Sequence, residues 1–108
     1  MALFPAFALA HTHLLRSSPA ENEVLANAPP SATLVFAEPV TLTGVKIESK
    51  KGLKTTPKLP QAKPATEASV ALPALAPGRY TMSWRAVGRD GHIMSGDIHF
   101  TVGERAGT

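Results

Sequence analysis

The chain contains no cysteine. That absence excludes disulfides, thiol catalysis and cysteine-ligated zinc, and it leaves the redox compartment open. Aromatic residues are scarce too: six among 108, namely Phe4, Phe7, Phe36, Tyr80, Trp84 and Phe100. The stretch from Lys46 to Lys63 carries six lysines and not one aromatic ring. Nucleic-acid surfaces interleave cations with stacking rings, so no nucleic-acid partner is expected. The lysines read first as a solvated hairpin and loop, and next as a surface for an anionic membrane or an acidic partner. No apolar run reaches the roughly 20 residues of a spanning helix, so a membrane-spanning helix is not expected. A long helical pattern is also missing, and ten prolines scattered along the chain disfavour a helical bundle.

What is present begins with "MALFPAFALA", residues 1–10, an apolar stretch ending in small residues. Ala8-Leu9-Ala10 fits an A-x-A cleavage pattern, and the segment reads as the end of a truncated secretory signal. Every charged residue lies beyond Ala10, so cleavage there leaves the net side-chain charge at +3. It also turns His11 into the N-terminus of a domain covering 11–103, with 104–108 as a tail.

That domain is a series of short alternating segments separated by turn signals. "HLLRSS" is a first strand closed by Ser18-Pro19-Ala20-Glu21. "ATLVFAE" sets Leu34 and Phe36 on one face, and "GVKIES" alternates Val45 and Ile47 against Lys46 and Glu48. "ASVALP" alternates again, "RYTMSWRAV" aligns Tyr80, Met82, Trp84 and Ala86, and "DIHFTV" turns Ile98, Phe100 and Val102 inward. Regular short strands of this kind predict an all-β domain of about seven strands, a small antiparallel Greek-key β-sandwich or barrel. In "LAPGRY", Pro77-Gly78 before Tyr80 has the form of a tyrosine corner. Tyr80 and Trp84 are therefore expected in the core, with Met82 and Met94 as core or rim packing.

The chemistry concentrates in "GRDGHIMSGDIHF". Asp90 and His92 stand two residues apart, so on extended backbone they project to one side. Alone, such a pair reads as surface polarity in a turn. With a processed His11 it becomes part of a donor set, because a terminal histidine offers its α-amine and a ring nitrogen. Amine, two imidazoles and a carboxylate suit the tetragonal N/O preference of Cu(II). Zinc can use the same donors but favours a tetrahedron, and calcium and magnesium want oxygen. His13 is a supporting group behind the ligands, plain surface, or the ring of a competing Cu(II) chelate with the free amine and two deprotonated amides. His99 alternates outward from Ile98 and Phe100 and is expected on an exposed strand face.

These residues resemble the CopC-type (copper resistance protein C, PcoC-like) family. The resemblance rests on "HTHLLRSSPAENEVL", "LVFAEPV", "LAPGRYTMSWRAVGRDGHIMSG" and "IHFTV", with Asp90, His92 and Gly96 in a D-x-H-x-x-x-G motif. It implies a cupredoxin- or Ig-like barrel, and one Cu(II) per chain held by His11, Asp90 and His92. It further implies a periplasmic protein that buffers or carries copper, not an enzyme, with a CopD-like inner-membrane transporter as partner. "TLTGVKIESKKGLKTTPKLPQAK" contains no methionine or histidine, whereas some members carry a methionine-rich Cu(I) loop there. The resemblance is thus to the branch with a Cu(II) site alone. Two other readings start from the same residues: a copper-dependent oxidative enzyme with a terminal-histidine chelate, and a metal-free Ig-like interaction domain.

Overall fold

The computed structural model describes residues 14–60 and 63–103. The described residues form seven strands and no helix: β1 (Leu14–Ser18), β2 (Glu23–Leu25), β3 (Ser31–Ser49), β4 (Lys54–Thr55), β5 (Ala65–Ala71), β6 (Gly78–Gly88) and β7 (Ile93–Val102). All join one curled sheet whose main path runs β1-β3-β6-β7-β2, with β4 and β5 also paired to β3.

The 19-residue β3 organises this sheet. "ATLVFAE" and "GVKIES", read from sequence as two strands, are the two halves of this one. Its first half lies between β1 and β5, with Thr33 opposite both Ser18 and Ser69. Its second half pairs with β6 from Val40–Gly88 to Ser49–Tyr80, and with β4 at Ile47–Thr55. Between them the β5 register shifts across Val35 to Val40, the stretch that holds Glu38-Pro39. Proline has no N–H to give a ladder, so an irregularity is where a strand tolerates it. The strand bends there and passes from one layer to the other, as corner strands do in packed sheets.

Five of the six pairings are antiparallel; β2 instead runs parallel to β7, with Val24 opposite Thr101. The sheet is therefore mixed rather than wholly antiparallel. Between β1 and β2, which are joined through a cis Ser18-Pro19 bond, a left-handed Asn22 (φ 65°) donates its N–H to the His99 carbonyl, and β2 then lies along β7.

The core follows the alternation. Tyr80, Met82, Trp84 and Ala86 of β6 are buried, as are Ile98, Phe100 and Val102 of β7 and Leu34 and Phe36 of β3. Side chains of the Leu, Phe and Met size contribute about 1.5–3 kcal/mol each when fully buried. Phe36 meets Trp84 edge-on at 5.3 Å and 73°, and Tyr80 stacks on Phe100 at 5.5 Å. The Tyr80 hydroxyl donates to the Ala76 carbonyl, so the tyrosine corner is present.

Candidate metal centre

Asp90 and His92 sit in the turn joining β6 to β7. The last ladder pair is Val87–Ile93. Beyond it Gly88 N–H donates to the His92 carbonyl at 2.9 Å, and Gly91 N–H to the Gly88 carbonyl at 3.0 Å. Gly91 has φ 87°, a left-handed conformation that a side chain would strain.

The turn changes how the two donors relate. Extended backbone would set them side by side, but here they face each other. Asp90 Oδ1 accepts the His92 backbone N–H at 3.0 Å, and Oδ2 lies 2.7 Å from His92 Nδ1. A turn residue whose carboxylate reaches the amide two positions on is a familiar Asx arrangement, and it folds the pair inward. A carboxylate only accepts, so Nδ1 carries the proton and the ring's lone pair lies on Nε2. This is how metal-binding imidazoles are commonly oriented, with a carboxylate fixing tautomer and ring plane. Both side chains are more than half exposed, 61% for His92 and 54% for Asp90. First the His92 backbone N–H and then its ring hold the Asp90 carboxyl below the ordinary aspartate range.

Two glycines make room for this arrangement. A Cβ on Gly88 would stand 3.0 Å from Asp90 Oδ1 and 3.4 Å from Met94 Cε. A Cβ on Gly96 would stand 2.8 Å from Trp84 Nε1. Gly96, opposite Trp84 in the ladder, is thus the floor on which the indole lies. Met94 is half-buried at the rim and Met82 is wholly buried, matching their expected packing roles.

His11 and His13 lie outside the described residues, so the turn supplies two of the expected donors and the described structure is silent on the others. His99 is elsewhere. It points outward from β7, with its ring Nδ1 3.0 Å from Glu21 Oε2. One residue went unremarked in the sequence: Glu38. Because Val40 pairs with Gly88, β3 carries Glu38 past the end of β6, toward the end of the barrel that bears the turn. A carboxylate beside proline, inside an otherwise alternating strand, was the available signal. The start of β1 reaches the same bend, since Leu14 pairs with Phe36.

Comparison with known proteins agrees with this architecture. Residues 14–103 match the CopC domain family. Protein YobA of Escherichia coli is 37% identical over 98 residues, covering 86% of this chain and 79% of that protein. Copper resistance protein C of Xanthomonas campestris pv. juglandis is 33% identical over 111 residues, covering 94% and 87%. The crystal structure of CopC from Methylosinus trichosporium superposes with a TM-score of 0.72 at 30% identity, covering 85% of this chain and 93% of that one. The strands, the corner and the family match converge, and the chain belongs to the CopC family of copper resistance and transport proteins, which bind copper and are not enzymes.

Proposed function

We propose that the chain holds one Cu(II) ion between a processed N-terminal His11 and the Asp90–His92 turn, and that it buffers or carries this ion in the periplasm. The observation that carries the reading is the shared end of the barrel. Leu14 opens β1 beside the β3 bend, and the register of that bend leads to Gly88 and the turn. Three residues of fully extended chain can span about 10 Å, so a terminal histidine preceding Leu14 could reach toward that end of the barrel.

The donor chemistry supports the same ion. His92 offers Nε2, His11 offers its amine and a ring nitrogen, and Asp90 ligates by keeping Oδ1 on the backbone while Oδ2 leaves His92 Nδ1 for the ion. Three nitrogens and one oxygen suit tetragonal Cu(II). Cu(I) is soft and prefers sulfur. The region after residue 10 has only Met82 and Met94, the first of which is core. Reduction therefore loosens the ion, a property suited to handing copper to an inner-membrane transporter of the CopD type. Binding also weakens in acid, because imidazole must be neutral and the α-amine, with a reference pKa of about 7.7–8.0, must lose its proton.

The test compares chains beginning at His11 with chains retaining Ala10, titrated against a competing Cu(II) chelator. A terminal His11 should bind about a hundredfold more tightly, since blocking the amine breaks the chelate. Equal affinities would refute the terminal chelate. So would an intact mass of the exported protein placing its N-terminus anywhere other than His11.

A further inference from the structure

The end of the molecule opposite the turn has a different character. β6 starts there at Gly78, and a strand of 11 residues, ten steps of about 3.3 Å, separates this end from Gly88 by about 33 Å. The hairpin between β3 and β4 projects from it with the sequence Ser49-Lys50-Lys51-Gly52-Leu53-Lys54. The hairpin is locked. Gly52 N–H donates to the Ser49 carbonyl at 2.9 Å and Ser49 N–H to the Leu53 carbonyl at 2.8 Å, while Leu53 N–H reaches Ser49 Oγ at 3.0 Å. This backbone holds Leu53 outward, 68% exposed at the tip of a lysine-rich turn. Beside it an apolar cleft of about 330 Å³ runs between Leu53 and Ala76, Pro77 and Tyr80, rimmed by Lys50, Lys51 and Arg79.

We propose that this end docks on an anionic phospholipid surface, with Leu53 entering the interface and Lys50, Lys51, Lys54 and Arg79 meeting the headgroups. Glu48, opposite Lys54 in the ladder, and Asp97, on the adjoining face, are the nearby carboxylates, and none of the four cations forms an ion pair with any described residue. No Asp or Glu occurs from Ser49 to Thr66. The charge is therefore available to an outside partner. Each Lys or Arg close to an anionic leaflet adds attraction, and lysine stems can lie along apolar surface while their ammonium groups stay in water. An acidic protein segment would satisfy the cations, but it would need a matching hollow for a protruding leucine. A bilayer interface accepts both at once. The neighbouring broad face of β6 and β7 sets Glu48 and Asp97 beside Lys50 and Arg79, so the excess positive charge is concentrated at the Lys50–Lys54 tip. Docked this way, the chain holds the Asp90–His92 turn away from the membrane.

Sedimentation with vesicles of phosphatidylcholine, with and without phosphatidylglycerol, tests this on the mature chain. Binding should require phosphatidylglycerol and fall as salt rises. Lys51→Glu should weaken partitioning by about fivefold or more. Leu53→Asp should weaken it as well. Lys63→Glu makes the same charge change near the β5 start, which pairs with Val40 at the turn end of the barrel, and should leave partitioning unchanged. His92→Ala should bind vesicles like the unmodified chain, which separates this surface from copper binding. Equal binding to neutral vesicles would overturn the proposal. So would equal losses from Lys63→Glu and Lys51→Glu, or retention on a poly-glutamate resin without any vesicle binding.

Discussion

Two histidines of this chain grip a carboxylate in the same way, yet to different ends. In the β6–β7 turn, Asp90 takes the backbone N–H and ring Nδ1 of His92 at 3.0 and 2.7 Å. On the β7 edge, Glu21 takes the backbone N–H and ring Nδ1 of His99 at 2.9 and 3.0 Å. The first pair is two residues apart and hangs from a hairpin at the end of the barrel. The second joins positions 78 residues apart. Both carbonyls are taken as well, that of His92 by Gly88 N–H at 2.9 Å inside its own hairpin and that of His99 by Asn22 N–H at 2.6 Å from a distant loop. His99 thereby ties the Pro19–Asn22 loop and the parallel β2 to β7, whereas these three bonds of His92 stay within the β6–β7 turn. An imidazole–carboxylate contact alone therefore does not mark a metal site; its place in the fold decides.

The largest expected contrast is in Cu(II) affinity. His92→Ala removes a proposed ligand and should weaken binding by at least about a hundredfold, while Asp90→Ala should cost about 10- to 100-fold. His99→Ala should leave affinity close to that of the unmodified chain. Chelator competition measures all three, and similar losses from His92→Ala and His99→Ala would erase the distinction drawn between the pairs.

A second contrast concerns stability. Gly96→Ala drives a methyl into the Trp84 indole, which is buried and also meets Phe36 edge-on. The cost should be about 1–3 kcal/mol, read from the denaturation midpoint. Gly52→Ala, where a Cβ meets nothing within 4 Å, tests backbone strain alone and should cost about 1 kcal/mol. A larger loss at Gly52 than at Gly96 would show that the indole gives way more easily than the buried ring pair implies.

The smallest effect concerns the pH dependence of the second pair. The His99 backbone N–H, followed by its ring, holds the Glu21 carboxyl below the ordinary glutamate value. A depressed folded pKa gives stabilisation that is complete above the unfolded value, about 4.3, and is lost as pH falls through the folded one. Glu21→Gln should remove that acid-side dependence and loosen the amides of β2, read by hydrogen exchange. Unchanged exchange at Val24 and Leu25 would mean that the β2 ladder holds without this tie.

Much of this was legible in the chain because alternation is a local signal. Tyr80, Met82, Trp84 and Ala86 read as one inward face and are all buried. The Pro77-Gly78 step before Tyr80 announced its corner. Features that depend on distant partners were not legible. β2 is three residues long and becomes a strand only against Phe100 to Val102. Glu21 has nothing in its neighbourhood that names His99. The spacing of Asp90 and His92 is the same in a strand and in a turn, so it could not distinguish donors side by side from donors face to face. Glu38-Pro39 looked like the end of a strand, because proline's missing N–H reads the same at a terminus and at a bend within one strand.

That unbroken β3 has a consequence for how the molecule opens. Leu34 pairs with Ala68 in one layer and Ile47 with Met82 in the other, yet both belong to a single stretch of backbone. Peeling either layer away would strip half the ladder from a strand the other layer still needs. The two layers therefore melt together as one cooperative unit, and local fraying is confined to the short edge strands.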